Sequence, residues 1–75
     1  MKDVELFGRL TGTLYDIHVE VGANVKEGDP LYTVEAAKSL LNVNSPFEGN
    51  VKSIVRNVGT DIQDTDVVML LTTDS

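Results

Sequence analysis

The sequence predicts an all-β fold, a sandwich of two small antiparallel sheets with pseudo-twofold symmetry. Three observations lead to this prediction. β-branched residues are frequent, no stretch of ten residues keeps the apolar period of an α-helix, and the second half of the chain repeats the first. The length of 75 residues allows a single domain, covering 1–75.

The internal repeat has a period of 37 residues. Residues 12–34 align without a gap on residues 49–71, with 5 identities and 4 aliphatic matches in 23 positions. Two generic hairpins that share turn residues would be the simpler explanation. The common register of the glycines and the aliphatic residues favours duplication, so each half should form the same strand–turn–strand unit.

The first half begins with a predicted strand and a turn. Ile17, Val19 and Val21 alternate with polar neighbours, which is the pattern of a half-buried strand. Turn residues follow at 22–24 and again at 26–30, where Gly, Asp and Pro are frequent.

A further strand is predicted at residues 31–35. The second half has turn residues at 59–61 and 63–66 and a strand at 67–71, in agreement with the repeat. The glycines are expected to serve turns, through positive φ or through close packing.

Lys38 lies between the two halves, in the segment EAAKSLL at 35–41. This segment has helical propensity but is too short for a stable isolated helix. Because strands flank it on both sides, we predict a tight hairpin with Lys38 at its exposed tip. The repeat maps Lys38 onto Ser75, so the tip should lie opposite the terminal end. Leu40 and Leu41 are expected to pack under the hairpin.

The charge balance narrows the range of partners. Twelve acidic and six basic residues give a net charge of −6, which repels phosphate backbones and argues against binding to nucleic acids or anionic membranes. No apolar run approaches the roughly 20 residues that span a bilayer. The first ten residues are too charged for a signal peptide. A cytoplasmic location is therefore expected, with an organelle matrix as the alternative if a transit peptide has been removed.

Few residues are suited to catalysis or metal binding. The absence of Cys excludes thiolate catalysis and Cys-based metal sites. His18 lies between apolar neighbours with no evident Ser or Asp partner, so a rim position is expected. The acidic residues lack calcium-loop spacing, and the glycines lack phosphate-loop spacing. We predict no catalytic residue and no metal site.

The ordered pattern of these residues resembles the biotinyl/lipoyl attachment domain family over about residues 10–71. Each marker is weak alone, but the ordered set is specific, with Lys38 eight residues before Pro46. The markers are Gly12-Thr13, Val21-Gly22, Val25, Gly28-Asp29, Leu31, Glu35-Ala36-x-Lys38, Pro46-x-x-Gly49, Val58-Gly59 and Asp66. The resemblance implies a biotinyl/lipoyl-like barrel-sandwich fold, and the short length resembles small biotin carboxyl carrier-like proteins.

The resemblance implies that Lys38 is a covalent attachment site. Because a free lysine amine is protonated and inert at pH 7, the family relies on a ligase that delivers an adenylate-activated acid. Glu35, Ala37 and Ser39 flank the lysine and would be recognised by this ligase. The acylated side chain is a tether that raises the effective concentration of the cofactor at each active site within reach. The domain would then be a carrier rather than an enzyme.

The flanking residues leave three interpretations open. Biotinyl domains carry Ala-Met-Lys-Met and lipoyl domains usually carry Asp-Lys-Ala, whereas this chain has Ala36-Ala37-Lys38-Ser39. Ala36 favours biotin, attached by biotin protein ligase, with carboxyl transfer between a biotin carboxylase and a carboxyltransferase. Ser39 is compatible with lipoate, attached by lipoyl ligase, in a 2-oxoacid dehydrogenase complex. The missing methionines also fit an unmodified interaction module of the same fold.

Overall fold

The computed structural model describes residues 2–7 and 11–73, and these residues form eight β-strands. The strands are β1 (Lys2–Phe7), β2 (Gly12–Ile17), β3 (Asn24–Val25), β4 (Pro30–Ala36), β5 (Ser39–Asn44), β6 (Gly49–Ile54), β7 (Asp61–Ile62) and β8 (Val67–Thr73). No helix occurs within these described ranges, so a hairpin and not a helix follows Glu35. For the same residues, no candidate membrane-spanning helix is found.

The strands form two four-stranded antiparallel sheets that repeat each other. One sheet has the order β1-β8-β6-β3 and the other has the order β5-β4-β2-β7. We call them the β1 sheet and the β5 sheet. Adding 37 to the residue numbers of β1, β2, β3 and β4 gives the bounds of β5, β6, β7 and β8. The predicted all-β sandwich and its internal repeat are therefore confirmed.

The repeat extends to the pairing register. Thr13 is the Cα partner of Glu35, and the corresponding residues of the other sheet, Asn50 and Thr72, are also partners. The first pair of the β4–β5 hairpin, Ala36 with Ser39, corresponds to Thr73 with Lys2. The two ends of the described chain therefore lie side by side in neighbouring strands.

The core lies between the two sheets and receives side chains from both. Twelve hydrophobic residues are at most 6% exposed: Leu6, Leu14, Val25, Leu31, Tyr32, Val34, Val43, Val51, Ile62, Val68, Met69 and Leu71. The Tyr32 hydroxyl donates a hydrogen bond of 2.6 Å to the Phe7 carbonyl, which satisfies a polar group inside this core.

The two-residue strands β3 and β7 carry the chain from one sheet to the other. β3 follows β2 but pairs with β6, and β7 follows β6 but pairs with β2. Each crossing ends in a turn closed by an aspartate. Asp29 accepts a 2.9 Å hydrogen bond from the Lys26 amide, and Asp66 accepts one of 2.9 Å from the Gln63 amide. This turn chemistry explains why Asp occupies both repeat positions.

Two details differ from the sequence-based prediction. The strand predicted through Val21 ends at Ile17, and Val21 is 62% exposed. The chain leaves the sheet there because it has to cross, and the Gly22 amide bonds the Val51 carbonyl of the opposite sheet. The strands β1, β3 and β7 were not predicted.

Candidate functional site

The Lys38 hairpin is a tight two-residue turn between β4 and β5. Ala36 and Ser39 are the last paired residues, so Ala37 and Lys38 alone form the turn. Both have positive φ, 49° for Ala37 and 68° for Lys38. Positive φ at both central positions is the mark of a type I′ turn, whose twist matches that of the flanking strands. The predicted hairpin with an exposed Lys38 is confirmed.

The turn holds non-glycine residues in a conformation that favours Gly or Asn. A left-handed backbone costs an ordinary L-residue roughly 1–2 kcal/mol. Such strain persists where the surrounding structure enforces it, and functional sites are where it tends to cluster. Here the paired strands on both sides supply the constraint.

The strain at Ala37 leads to a stability prediction. Ala37→Gly should raise the free energy of unfolding by about 1 kcal/mol, because glycine accepts positive φ without steric cost. Ala36→Gly is the matched control. It places glycine in extended backbone one residue earlier and should lower stability by roughly 0.5–1 kcal/mol. Urea unfolding of both variants measures the two changes, and a loss of stability in Ala37→Gly would contradict the strain argument.

The Lys38 side chain is exposed and available. Within the described part of the chain its amine takes part in no hydrogen bond or ion pair. Two other basic side chains are engaged, since the Lys52 amine pairs with Asp3 and the Arg56 guanidinium lies 3.7 Å from Asp66. An acylating enzyme could therefore reach the Lys38 amine without breaking a contact.

The predicted flanking residues lie together on this hairpin. Glu35, Ala37, Lys38 and Ser39 are all exposed. Their recognition by a ligase stays a prediction. Ser75, onto which the repeat maps Lys38, lies outside the described residues, as does Leu10 at the start of the family resemblance.

Strand pairing adds two residues that the sequence reasoning missed. Thr13 is the Cα partner of both Asp61 on β7 and Glu35 on β4, and Glu35 is the partner of Leu40 on β5. Asp61, Thr13, Glu35 and Leu40 thus form one transverse row across the β5 sheet. The Thr13 hydroxyl donates a 3.1 Å hydrogen bond to Asp61. No spacing along the chain indicates this row, because only strand pairing places Asp61, on the far side of β2, in line with Glu35.

Leu40 and Leu41 do not pack under the hairpin as expected. They are 52% and 46% exposed. β5 is the outer strand of its sheet, and Val43 is its only buried residue. Leu40 is paired with the exposed Glu35 and lies on the outer face of the sheet. Leu41 is paired with the buried Val34, so the open edge of β5 is what leaves Leu41 accessible.

His18 belongs to a separate polar cluster on the β5 sheet. Its Nε2 lies 2.7 Å from the Thr33 hydroxyl, which donates a 2.8 Å hydrogen bond to Asn42 Oδ1. With that proton directed to Asn42, His18 acts as the donor toward Thr33 and not as its base. Asp16 lies 3.8 Å from the other ring nitrogen. The His18 side chain is 33% exposed, so its predicted rim position is confirmed, although the Asp16 and Thr33 partners were missed.

No acidic or histidine cluster suited to a metal ion is found in residues 2–7 and 11–73. The exposed groups of the site are the Lys38 amine on a strained turn, the nearby Glu35 carboxylate, and the side chains of Leu40 and Leu41. This arrangement leaves the Lys38 amine accessible from outside the domain.

Comparison with known proteins gives consistent matches. A family model described as "Biotin-requiring enzyme" (biotin/lipoyl) matches residues 10–71. A pyruvate carboxylase from Staphylococcus aureus is 31% identical over 61 residues, which cover 81% of this chain and 5% of that protein. The dihydrolipoyllysine-residue acetyltransferase component of the pyruvate dehydrogenase complex of Mycoplasma capricolum is 39% identical over 62 residues, covering 83% of this chain and 14% of that protein.

Solved structures give the same fold. The urea carboxylase of Kluyveromyces lactis matches with a TM-score of 0.88 and 25% identity, over 96% of this chain and 6% of that one. A multi-domain long-chain acyl-CoA carboxylase matches with a TM-score of 0.91 and 20% identity, over 97% of this chain and 7% of that one. The chain therefore spans only a small part of the proteins that it matches.

Proposed function

The chain belongs to the biotin/lipoyl attachment family, and from this premise we propose that it is the biotin carrier domain of a carboxylase, with biotin joined to Lys38. Carboxylases recur among its relatives: besides pyruvate carboxylases, a methylcrotonoyl-CoA carboxylase subunit of Dictyostelium discoideum is 34% identical over 59 residues. The observation that carries the proposal is the exposed, unpaired Lys38 amine on the two-residue turn.

Lys38 fits the role of attachment residue. Its Nζ would attack the activated carboxyl carbon of the acyl-adenylate, forming an amide as AMP leaves and a proton is lost from nitrogen. The ligase has to bind the deprotonated amine, because the ammonium form has no free electron pair. Biotin, once attached, supplies the position that accepts and releases a carboxyl group.

The protein chain contributes position rather than chemistry. The domain is a carrier. The type I′ turn fixes the point from which the lysine side chain extends, and the paired strands β4 and β5 limit its movement relative to the core. The long side chain then supplies the reach. Such a tether raises the effective concentration of its terminal group at two separate active sites.

The exposed surface around Lys38 is where the ligase would dock. Glu35 and Asp61 place two carboxylates on one transverse row, and Ala37 and Ser39 are small enough to leave the backbone of the turn accessible. We infer that a biotin protein ligase reads these flanks, and that a biotin carboxylase and a carboxyltransferase are the later partners. The cytoplasm is the setting that we propose.

Lipoate is the second candidate. The 39% identity to a dihydrolipoyllysine-residue acetyltransferase component favours it, and the same amine would serve. The partners would then be a lipoyl ligase and the subunits of a 2-oxoacid dehydrogenase complex.

The intact mass of the protein tests the two candidates. The chain is produced with a biotin ligase and biotin in one culture, and with a lipoyl ligase and lipoate in another. A biotin-sized increment that peptide mapping assigns to Lys38 is the expected result. A lipoate-sized increment alone would favour the second candidate. No increment with either, beside control domains that are modified, would leave an unmodified interaction module of this fold.

A further inference from the structure

The outer face of the β5 sheet carries a polar network that the β1 sheet cannot form at the equivalent positions. The network consists of His18, Thr33 and Asn42. The 37-residue repeat places Val55, Leu70 and Glu5 at the equivalent positions. Valine and leucine side chains neither donate nor accept hydrogen bonds, so the architecture shared by the two sheets does not require the network. It belongs to the sheet that carries Lys38.

Thr33 is the centre of this polar network. It is 5% exposed, its hydroxyl donates a 2.8 Å hydrogen bond to Asn42 Oδ1, and the same oxygen lies 2.7 Å from His18 Nε2. His18 is itself held in place, because its backbone amide donates a 2.9 Å hydrogen bond to the Leu31 carbonyl on β4. The network therefore links β5 to β4 and to the residue that follows β2.

The bond between Thr33 and Asn42 joins β4 to β5 where the backbone does not. A two-residue hairpin closes on a hydrogen-bonded pair, here Ala36 with Ser39, and the two kinds of pair then alternate along the strands. Thr33 and Asn42 are Cα partners of the non-hydrogen-bonded kind, in which the side chains lie closest together. Their side-chain hydrogen bond thus adds to the attachment that the backbone provides.

The edge strand β5 has few other attachments. It pairs with β4 alone, and Val43 is its only buried residue. The turn before it holds Ala37 and Lys38 at positive φ, and such strain persists where the surrounding structure enforces it. Of the two strands that flank the turn, β4 lies inside the sheet and β5 lies at its edge. The attachment of β5 therefore determines whether the turn stays closed.

We propose that the His18–Thr33–Asn42 network positions the Lys38 hairpin by fastening β5 to its sheet. Its members are positioning residues, because Asn42 lies four residues from Lys38 and acts on it through the strand. A closed turn presents the amine from one defined point, whereas an open hairpin presents it from many. The effect on acylation rests on the proposed function. The fastening of β5 does not, and it is measured on unmodified protein.

Amide hydrogen exchange tests the fastening of β5. Leu41 and Val34 form the hydrogen-bonded pair next to the network, so the Leu41 amide should exchange when β5 detaches. Thr33→Val keeps the shape of the side chain and removes the hydroxyl. It should make the Leu41 amide exchange roughly fivefold to tenfold faster, as expected for the loss of one hydrogen bond. An unchanged exchange rate would overturn the proposal.

The Val4 amide is the internal control for this experiment. Val4 is the repeat equivalent of Leu41 in the β1 sheet, and its exchange rate should stay the same in Thr33→Val. Asn42→Ala removes the acceptor at an exposed position and should also accelerate exchange at Leu41. Thr33→Ser keeps the hydroxyl and should leave that exchange slow. Equal acceleration at Leu41 and Val4 would indicate a global loss of stability and contradict the fastening.

The ligase that modifies the wild-type chain tests the positioning of Lys38. Thr33→Val should raise its KM for the domain about twofold, because the apparent affinity falls with the fraction of closed hairpins. Val51→Ala is the control, since it removes a buried side chain from the β1 sheet and should lower global stability without changing KM. An equal rise in both variants, or none in Thr33→Val, would overturn the positioning role. If no ligase modifies the wild-type chain, the proposed function fails, and the exchange rates still decide whether the network fastens β5.

Discussion

Lys38→Arg should abolish the mass increment completely with either ligase, while the free energy of unfolding changes by less than about 0.5 kcal/mol. The guanidinium stays protonated and cannot provide the amine nitrogen that forms the amide. Lys38 is exposed, and its side chain makes no hydrogen bond or ion pair within the described residues, so its replacement should change the stability little. Intact mass and urea unfolding measure the two effects on one preparation.

Lys26→Arg is the control for this experiment. Lys26 is an exposed lysine outside the hairpin, and its replacement should leave the increment unchanged. An increment that persists in Lys38→Arg would exclude the assigned lysine. Loss of the increment in both variants would instead indicate damage to ligase recognition.

Gly12→Ala should lower the free energy of unfolding by about 2–4 kcal/mol. A Cβ at position 12 would overlap the carbonyl oxygen of Glu35 and press against the side chain of Val34. Both neighbours are on β4, and the oxygen belongs to the backbone, so neither can turn aside at low cost. For a domain of this size the melting temperature should fall by roughly 10–25 °C.

The repeat supplies a second test of the same contact. A Cβ at Gly49 would overlap the carbonyl oxygen of Thr72, so Gly49→Ala should cost about as much as Gly12→Ala. Thr11→Ala, at an exposed neighbouring position, should be nearly neutral and serves as the control. Calorimetry gives the melting temperatures of the three variants for this comparison. Equal melting temperatures for Gly12→Ala and Thr11→Ala would contradict the close approach.

The sequence predicted the paired architecture because duplication preserves what the fold requires. Aliphatic residues at positions such as Leu14 and Val51 face the core, and their spacing recurs at 37 residues. The strands β3 and β7 escaped prediction since two residues carry no periodicity. β1 escaped because its edge position places charged residues within the strand.

The candidate site was also predicted only where neighbouring residues in the sequence determine its structure. The hairpin around Lys38 is local, so flanking strands and a short loop were sufficient to predict it. The neighbourhood of Glu35 depends on strand pairing, which brings in Thr13 and Asp61 from distant segments. The exposure of Leu41, which is paired with the buried Val34, depends on β5 being an edge strand, and sequence periodicity does not indicate strand order.

Lys2 and Thr73 are paired in neighbouring strands, so the two ends of the described chain are close enough to be joined in a circular permutant. In a circular permutant the residues Asp74, Ser75 and Met1 would join the two strands, one residue more than in the Ala37–Lys38 turn. Such a molecule could be reopened between Ala37 and Lys38 and would keep the same strand neighbours. The only chain break would then lie in the turn that carries Lys38. Such a permutant would keep the strand pairing of the core while losing the closed turn, so it would separate the stability of the core from the presentation of Lys38.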